Sequence, residues 1–66
     1  MEILLNGAPY TLPPACTVAQ LIELLGYVGK RVAVERNGDI VARSTYEQTH
    51  LAPNDRLEIV AAVGGG

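Results

Sequence analysis

Three glycines, Gly64, Gly65 and Gly66, close the sequence and bring the α-carboxylate of Gly66 with them. A terminal carboxylate is ionised at neutral pH and acylates nothing until it is activated. Joined to a good leaving group such as the phosphate of AMP, it becomes an acyl donor. Since glycine has no Cβ atom, these residues form a thread thin enough to enter a narrow channel of another protein. The tail therefore predicts a carrier that a partner enzyme modifies, and not a catalyst.

An inert tail is the alternative interpretation, because chain ends are often disordered or left over from cloning. Against it, the glycines follow a predicted strand directly, with no polar linker between them. Three extended residues reach at most about 10 to 11 Å beyond that strand. We divide the chain into a folded domain, residues 1–63, and a flexible tail, residues 64–66.

Composition and charge exclude several classes of protein. The chain has 66 residues, enough for one domain, and 48% of them are hydrophobic, which provides a core. The formal net charge is -2 and the five Lys and Arg residues are scattered, whereas nucleic-acid binding requires a basic stripe. The longest apolar run, residues 59–63, is far shorter than the roughly 20 residues of a membrane-spanning helix. We expect neither a nucleic-acid partner nor a membrane.

Cys16 and His50 are the residues most easily mistaken for a reactive or metal site. Cys16 is the single cysteine, and no leader-like segment precedes the first predicted strand, which favours the cytoplasm. A position just before a helix could activate its thiol, but no His or Lys accompanies it, so a half-buried structural cysteine is expected. His50 has no Cys or His at metal-ligand spacing and predicts a surface residue, not a metal site.

Alternating hydrophobic residues and two Asn-Gly pairs predict five short strands. Asn6-Gly7 joins "MEILL" to a strand over residues 9–12, and Asn37-Gly38 joins the two halves of "RVAVERNGDIVAR". A last strand follows a turn at Pro53-Asn54-Asp55. The residues expected to face the core from the strands are Met1, Ile3, Leu5, Tyr10, Leu12, Leu57, Ile59, Ala61 and Val63.

One amphipathic helix lies between the two hairpins. Thr17 and Gln20 have the spacing of a capping box, and Gly26 stands where a C-terminal cap is favoured. Ser44 and Glu47 have the same cap spacing and predict one further helical turn. The apolar stripe of the main helix comprises Val18, Leu21, Ile22 and Leu25. This order predicts an α+β fold of the β-grasp type, a mixed four- to five-stranded sheet packed on one main helix.

The chain has a family resemblance that rests on four segments, "ILLNG", "TVAQLIELLG", "VAVERNGDIVARSTY" and "RLEIVAAVGGG". Over nearly its whole length it resembles the sulfur carrier proteins of thiamine thiazole biosynthesis, the ThiS family, a ubiquitin-like β-grasp group. It departs from them at Pro53-Asn54-Asp55, where the family usually has an acidic residue followed by Gly-Asp. Asn adopts the left-handed backbone conformation almost as glycine does, so the turn is expected to survive.

The resemblance implies a cycle of sulfur transfer at Gly66. An ATP-using, ubiquitin-activating-type adenylyltransferase (ThiF-like) adenylates the carboxylate, with Gly64 and Gly65 in its channel. Sulfur from cysteine, supplied by a donor protein such as a cysteine desulfurase, then displaces AMP and leaves a thiocarboxylate. Thiazole synthase (ThiG-like) takes the sulfur. The protein itself is then no enzyme and holds no cofactor beyond the covalent thiocarboxylate, while ATP is used by the partner.

Two other functions stay open at this point. The small subunit of molybdopterin synthase uses the same tail chemistry for a different acceptor, although its family usually has longer chains. A β-grasp interaction module with an inert tail is the alternative from another class.

The sheet face away from the helix is expected to carry the docking site. If Leu57 and Ile59 point inward, strand alternation makes Leu4, Val60 and Ala62 point outward. These three residues predict a small apolar patch beside the tail, which is suited to contact with the activating enzyme. A one-residue slip in register would exchange these faces. The acidic residues expected to be solvated are Glu35, Glu47, Asp55 and Glu58.

Overall fold

A computed structural model describes residues 1–61, and residues 62–66 lie outside the described part of the chain. It has five strands, one α-helix and a short 3-10 helix over Arg43–Thr45. The other elements, in chain order, are β1 (Glu2–Leu5), β2 (Ala8–Thr11), α1 (Val18–Leu24), β3 (Val32–Arg36), β4 (Asp39–Ile40) and β5 (Arg56–Ala61). None of the helices within residues 1–61 has the length and apolar character needed to cross a membrane.

The five strands form one mixed sheet in the order β2-β1-β5-β3-β4. β5 pairs in parallel with β1 and antiparallel with β3, while the two hairpins β1-β2 and β3-β4 are antiparallel. The last strand in sequence is therefore the central strand of the sheet. The predicted mixed sheet with one main helix, the β-grasp fold, is confirmed.

Both predicted Asn-Gly hairpin turns are present. Asn6 and Gly7 have φ angles of 50° and 83°, and Asn37 and Gly38 have φ angles of 51° and 90°. Two consecutive residues with positive φ are what a two-residue hairpin loop needs to match the twist of its strands. Asn and Gly adopt this conformation with little strain, so the two pairs fix where both hairpins turn.

The capping box at the start of α1 is also confirmed. The Gln20 backbone N–H donates to Thr17 Oγ1 at 3.2 Å, and the Thr17 backbone N–H donates to Gln20 Oε1 at 2.8 Å. At the other end, Gly26 has a φ of 74° and its N–H donates to the Glu23 carbonyl. These caps satisfy backbone groups that a seven-residue helix would otherwise leave unpaired.

A single core lies between α1 and one face of the sheet. The helix contributes Val18, Leu21 and Ile22, and they meet inward-facing residues of the strands and of the segment before β5. The remaining buried hydrophobic residues are Ile3, Leu12, Cys16, Val34, Leu51, Leu57 and Ile59. The predicted inward faces of the first and last strands are confirmed as far as residue 61, and Val63 lies outside the described residues.

The helical turn predicted from Ser44 and Glu47 is present, but the predicted cap is wrong. The 3-10 helix begins after Ala42, and no side chain bonds its first backbone groups. Ser44 lies inside the turn, where its hydroxyl cannot act as the N-cap. Thr45 instead donates its hydroxyl hydrogen to the Ala42 carbonyl at 2.7 Å.

Removing the Thr17 hydroxyl tests how much the capping box contributes. We expect Thr17→Ala to lower the free energy of unfolding by about 1 kcal/mol, because the Gln20 N–H loses its acceptor at a buried helix start. Urea unfolding at neutral pH measures the loss. Glu23→Gln, on the exposed side of the same helix, serves as the control and should leave the urea midpoint unchanged.

Candidate functional site

The candidate site is the end of β5, the strand from which the glycine tail continues. Ala61, the last described residue, is still paired with Val32 of β3. On its other side, β5 pairs with β1 through Leu5 and Leu57. The functional residues predicted from sequence, Gly64, Gly65 and Gly66, lie outside the described residues. What the structure describes is the scaffold from which they extend.

Asn6 extends the ladder between β1 and β5 beyond the point where the β1 backbone turns away. Its own N–H donates to the Leu57 carbonyl at 2.8 Å. Its side chain then takes the place of backbone: Oδ1 accepts from the Ile59 N–H at 2.9 Å, and Nδ2 donates to the Ile59 carbonyl at 3.2 Å. β5 is thereby held on both sides as far as Ile59. Sequence reasoning assigned Asn6 only to the turn, because its partner is 53 positions away.

The turn before β5 is organised around Asp55, and its predicted solvated state is wrong. Asp55 is 7% exposed. One carboxylate oxygen, Oδ2, accepts from Arg36 Nε at 2.8 Å and from the Ala52 N–H at 2.8 Å, while Oδ1 accepts from Asn37 Nδ2 at 3.1 Å. Asn54 has a φ of 68°, so the predicted left-handed turn at this position is confirmed.

The same network joins the start of β5 to the β3-β4 hairpin. Asn37 Oδ1 accepts from the Arg56 N–H at 2.9 Å, and the Asn37 N–H donates to the Arg56 carbonyl. Burial on its own would raise the pKa of Asp55. The hydrogen bonds from Ala52, Asn37 and Arg36, together with the Arg36 charge, outweigh burial and hold that pKa below its ordinary value.

The sheet face opposite α1, here called the outer face, carries the residues predicted to dock a partner. Leu4 is 39% exposed and Val60 is 66% exposed, as expected for residues that point away from the core. The register separates them, however, since Leu4 pairs with Arg56 while Val60 pairs with Ala33. Four residues along a strand correspond to about 13 Å, so the two side chains do not form one continuous patch. Ala62, the third predicted member, lies outside the described residues.

Two carboxylates lie side by side on the outer face, one on β5 and one on β3. Glu58 of β5 pairs directly with Glu35 of β3, and Glu35 pairs with Ile40 of β4. Both acids are exposed, as predicted, and Glu47 is exposed as well. In residues 1–61 the only ion pair joins Arg36 to Asp55, so Glu35 and Glu58 have no such partner there.

Cys16 and His50 contribute no reactive site. Cys16 is 1% exposed, more deeply buried than the half-buried state that the sequence predicts, and this burial raises the pKa of its thiol. A buried, protonated thiol is a poor nucleophile, which supports a structural role. His50 is exposed and forms an isolated bridge with Thr17. No group of three His, Cys, Asp or Glu side chains in the described part of the chain is placed to hold a metal ion.

Comparison with known proteins gives consistent matches. A 66-residue stretch of a thiazole synthase from Paramagnetospirillum magneticum is 42% identical to the whole chain, which spans 20% of the length of that protein. The sulfur carrier protein ThiS of Bacillus subtilis is 38% identical over 50 residues, which cover 76% of each chain.

The fold also matches a solved structure. The crystal structure of the thiamine biosynthesis protein ThiS from Geobacter metallireducens superposes with a TM-score of 0.81 and 30% identity, covering 100% of both chains. The model of the ThiS family matches residues 3–66, which include the glycine tail. The chain belongs to the ThiS family.

Proposed function

We propose that this protein is a sulfur carrier for the thiazole moiety of thiamine and that its Gly66 carries the sulfur as a thiocarboxylate. The observation that carries the proposal is the match to the ThiS family model, which includes Gly66. In sequence, Gly66 follows β5, the central strand of the sheet. The Bacillus subtilis relative is itself named a sulfur carrier protein. The proposal requires that Gly66 have a free carboxylate.

The chemistry proceeds in three steps. A carboxylate oxygen of Gly66 attacks the α-phosphorus of ATP, and pyrophosphate leaves. The terminal sulfur of a cysteine-derived persulfide then attacks the acyl carbon, and AMP leaves with the electron pair of the broken C–O bond. A second thiol reduces the resulting acyl disulfide, which breaks its S–S bond, releases the thiocarboxylate and leaves a disulfide between the donor thiol and the second thiol. The thiocarboxylate that remains is a stronger nucleophile than the carboxylate and is suited to giving its sulfur to an electrophilic carbon of the thiazole precursor.

Three partners follow from this chemistry. An adenylyltransferase of the ubiquitin-activating type supplies the first step, a sulfur donor protein such as a cysteine desulfurase supplies the second, and thiazole synthase receives the sulfur. The relative from Paramagnetospirillum magneticum supports the last of these, because a protein named thiazole synthase contains a stretch similar to this entire chain.

The described residues contribute to this chemistry by holding β5, the strand that precedes the glycine tail in sequence. Asn6 holds one side of β5 as far as Ile59 and Val32 holds the other side as far as Ala61, five positions before Gly66 in sequence. The docking residues Leu4, Val60 and Ala62 are proposed to contact the activating enzyme on the outer face. Val60, four residues before Gly64, is the described member nearest the tail in sequence.

Intact-mass measurement tests the proposal. The protein is incubated with ATP, the adenylyltransferase and a cysteine-derived sulfur donor, and we expect a species heavier by the difference between sulfur and oxygen. Omission of ATP is the control and should leave the mass unchanged. If the complete mixture never yields the heavier species, the tail is inert and the interaction-module alternative is correct.

The acceptor pathway needs a separate test. In a strain that lacks the protein, we expect thiamine to restore growth and molybdopterin-dependent activity to be normal. The ThiS family match favours this outcome over the molybdopterin alternative. A defect in molybdopterin-dependent activity that thiamine does not correct would assign the protein to the other pathway.

A further inference from the structure

An activated Gly66 reacts with any thiol or amine that reaches it, including those of its own chain. The thiol of Cys16 is the strongest nucleophile by type, but it is buried, and this burial raises its pKa, so the thiol is withdrawn from attack. Two primary amines remain in the sequence. They are the N-terminal amine of Met1 and the side chain of Lys30, the single lysine.

The Met1 amine is hydrogen-bonded and lies at the end of the sheet away from the end of β5. It donates to the Leu12 carbonyl at 2.6 Å, and the Leu12 N–H donates to the Met1 carbonyl at 2.7 Å. β1 runs parallel to β5, and Leu4 pairs with Arg56, the first residue of β5. Met1 therefore lies beyond the start of that strand, which makes its amine a poor acceptor for an acyl group at Gly66.

Lys30 lies at the other end of the sheet, where β5 ends. It comes two residues before Val32, whose partner across the ladder is Ala61. Its backbone N–H donates to the Tyr27 carbonyl at 3.0 Å. Its Nζ lies 5.8 Å from the centroid of the Tyr27 ring, within the range of a cation–π contact. The turn after α1 thus holds an exposed amine beside the end of β5.

The remaining chain is long enough to bring Gly66 to this amine. Paired Cα atoms in an antiparallel ladder lie about 4.5 to 5.5 Å apart, and two residues span at most about 7 Å. The Cα atoms of Ala61 and Lys30 are therefore within about 13 Å of each other. Residues 62–66 span up to about 16 to 18 Å. Their reach exceeds the required distance even before the length of the lysine side chain is added.

We propose that Lys30 is the acceptor of the Gly66 acyl group when the adenylate leaves the activating enzyme without meeting a sulfur donor. The uncharged Nζ attacks the acyl carbon, AMP leaves with the electron pair of the broken C–O bond, and the new amide nitrogen gives its extra proton to water. This amide bond closes residues 30–66 into a ring. The inference rests on the proposed function and identifies a reaction that competes with sulfur loading. A closed molecule has no carboxylate left to activate.

Closure within one molecule is favoured over linkage between two copies. A short glycine-containing linker gives an effective concentration in the millimolar range, far above the micromolar concentration of protein in an assay. Lys30 of the same molecule is therefore acylated before Lys30 of another copy, and the main product is a closed monomer.

Intact mass without a sulfur donor tests the proposal. The protein is incubated with ATP and the adenylyltransferase, and pyrophosphate release reports adenylation. We expect a species lighter by one water. Because trypsin does not cleave after an acylated lysine, digestion of this species should leave residues 57–66 joined to residues 1–31. Addition of the sulfur donor should suppress the lighter species, since sulfur then takes the acyl group first.

Two variants make the outcomes separable. K30R keeps the charge and removes the primary amine, so we expect complete loss of the lighter species and normal sulfur loading. K30R/R56K restores the number of amines but places the lysine at the start of β5, and it should not restore closure, because Gly66 would have to return along the whole strand. A lighter species from either variant, or none from unsubstituted protein that releases pyrophosphate, would overturn the proposal. Absence of pyrophosphate release instead refutes the proposed function, and this inference with it.

Discussion

A Gly65→Trp variant is expected to fold normally and to accept sulfur at Gly66 at least about 10²-fold more slowly than the unsubstituted protein. The indole side chain is too wide for a channel that accepts only backbone, and misplacement of a reacting group by about 1 Å is enough for such a loss. The buried residues described all lie between Ile3 and Ile59, so the core does not depend on the substituted position.

The measurement is the rate at which the heavier mass appears, with a single bulky substitution elsewhere as the control. Gln48→Trp adds the same side chain at an exposed position between the 3-10 helix and β5 and should load at the normal rate. Normal loading of Gly65→Trp would show that no narrow channel receives the tail. An unfolded Gly65→Trp protein, visible as lost circular dichroism, would contradict the view that the tail is separate from the core.

Asp55→Ala is expected to be the most destabilising of the substitutions considered, with a loss of about 2 to 4 kcal/mol in the free energy of unfolding. The substitution removes the acceptor of the Ala52 N–H and of the Asn37 amide and leaves Arg36 without its counter-charge. A single core in a domain of this size supplies only about 3 to 5 kcal/mol, so most of the stability is expected to be lost.

The pH dependence of stability provides a second readout for Asp55. Its pKa is lowered in the folded state, so the unfolded chain binds a proton first as the pH falls. The stability that the carboxylate contributes is complete above about pH 4 and is lost as the pH falls toward the folded-state pKa. Urea unfolding from pH 7 to pH 2 should show this loss for the unsubstituted protein and a weaker one for Asp55→Asn. Asp39→Asn, an exposed acid of the hairpin, should keep the original profile.

Local patterns predicted the elements and the fold because each signal lies within a few residues of the structure it specifies. The capping box needs only Thr17 and Gln20, and each hairpin turn needs one Asn-Gly pair. The positive φ of Asn54 followed from the family resemblance, because the family usually has glycine at this position and Asn tolerates the same left-handed backbone conformation. The inward faces of β1 and β5 followed from strand alternation, and the single helix with one apolar stripe left little choice but to pack on the sheet.

The contacts that sequence reasoning missed join residues far apart in the chain. Asp55 is in a turn whose composition is typical of exposed loops, and its burial depends on Arg36 and Asn37, which lie 19 and 18 positions earlier. The side-chain ladder of Asn6 depends on Ile59 in the same way. The distance between Leu4 and Val60 depends on the register in which β1 pairs with β5. This register cannot be predicted from the alternation of residues within either strand.

The central position of β5 has a consequence for synthesis of the chain. While a ribosome is still making the protein, the β1-β2 and β3-β4 ribbons can form, but the strand that lies between them is the last of the five to emerge. Such long-range pairing is slow to form and leaves strand edges exposed until it does. A nascent polypeptide interrupted before Arg56 would therefore present two unjoined ribbons to chaperones and proteases. Only molecules translated through the final strand of the described sheet can assemble it.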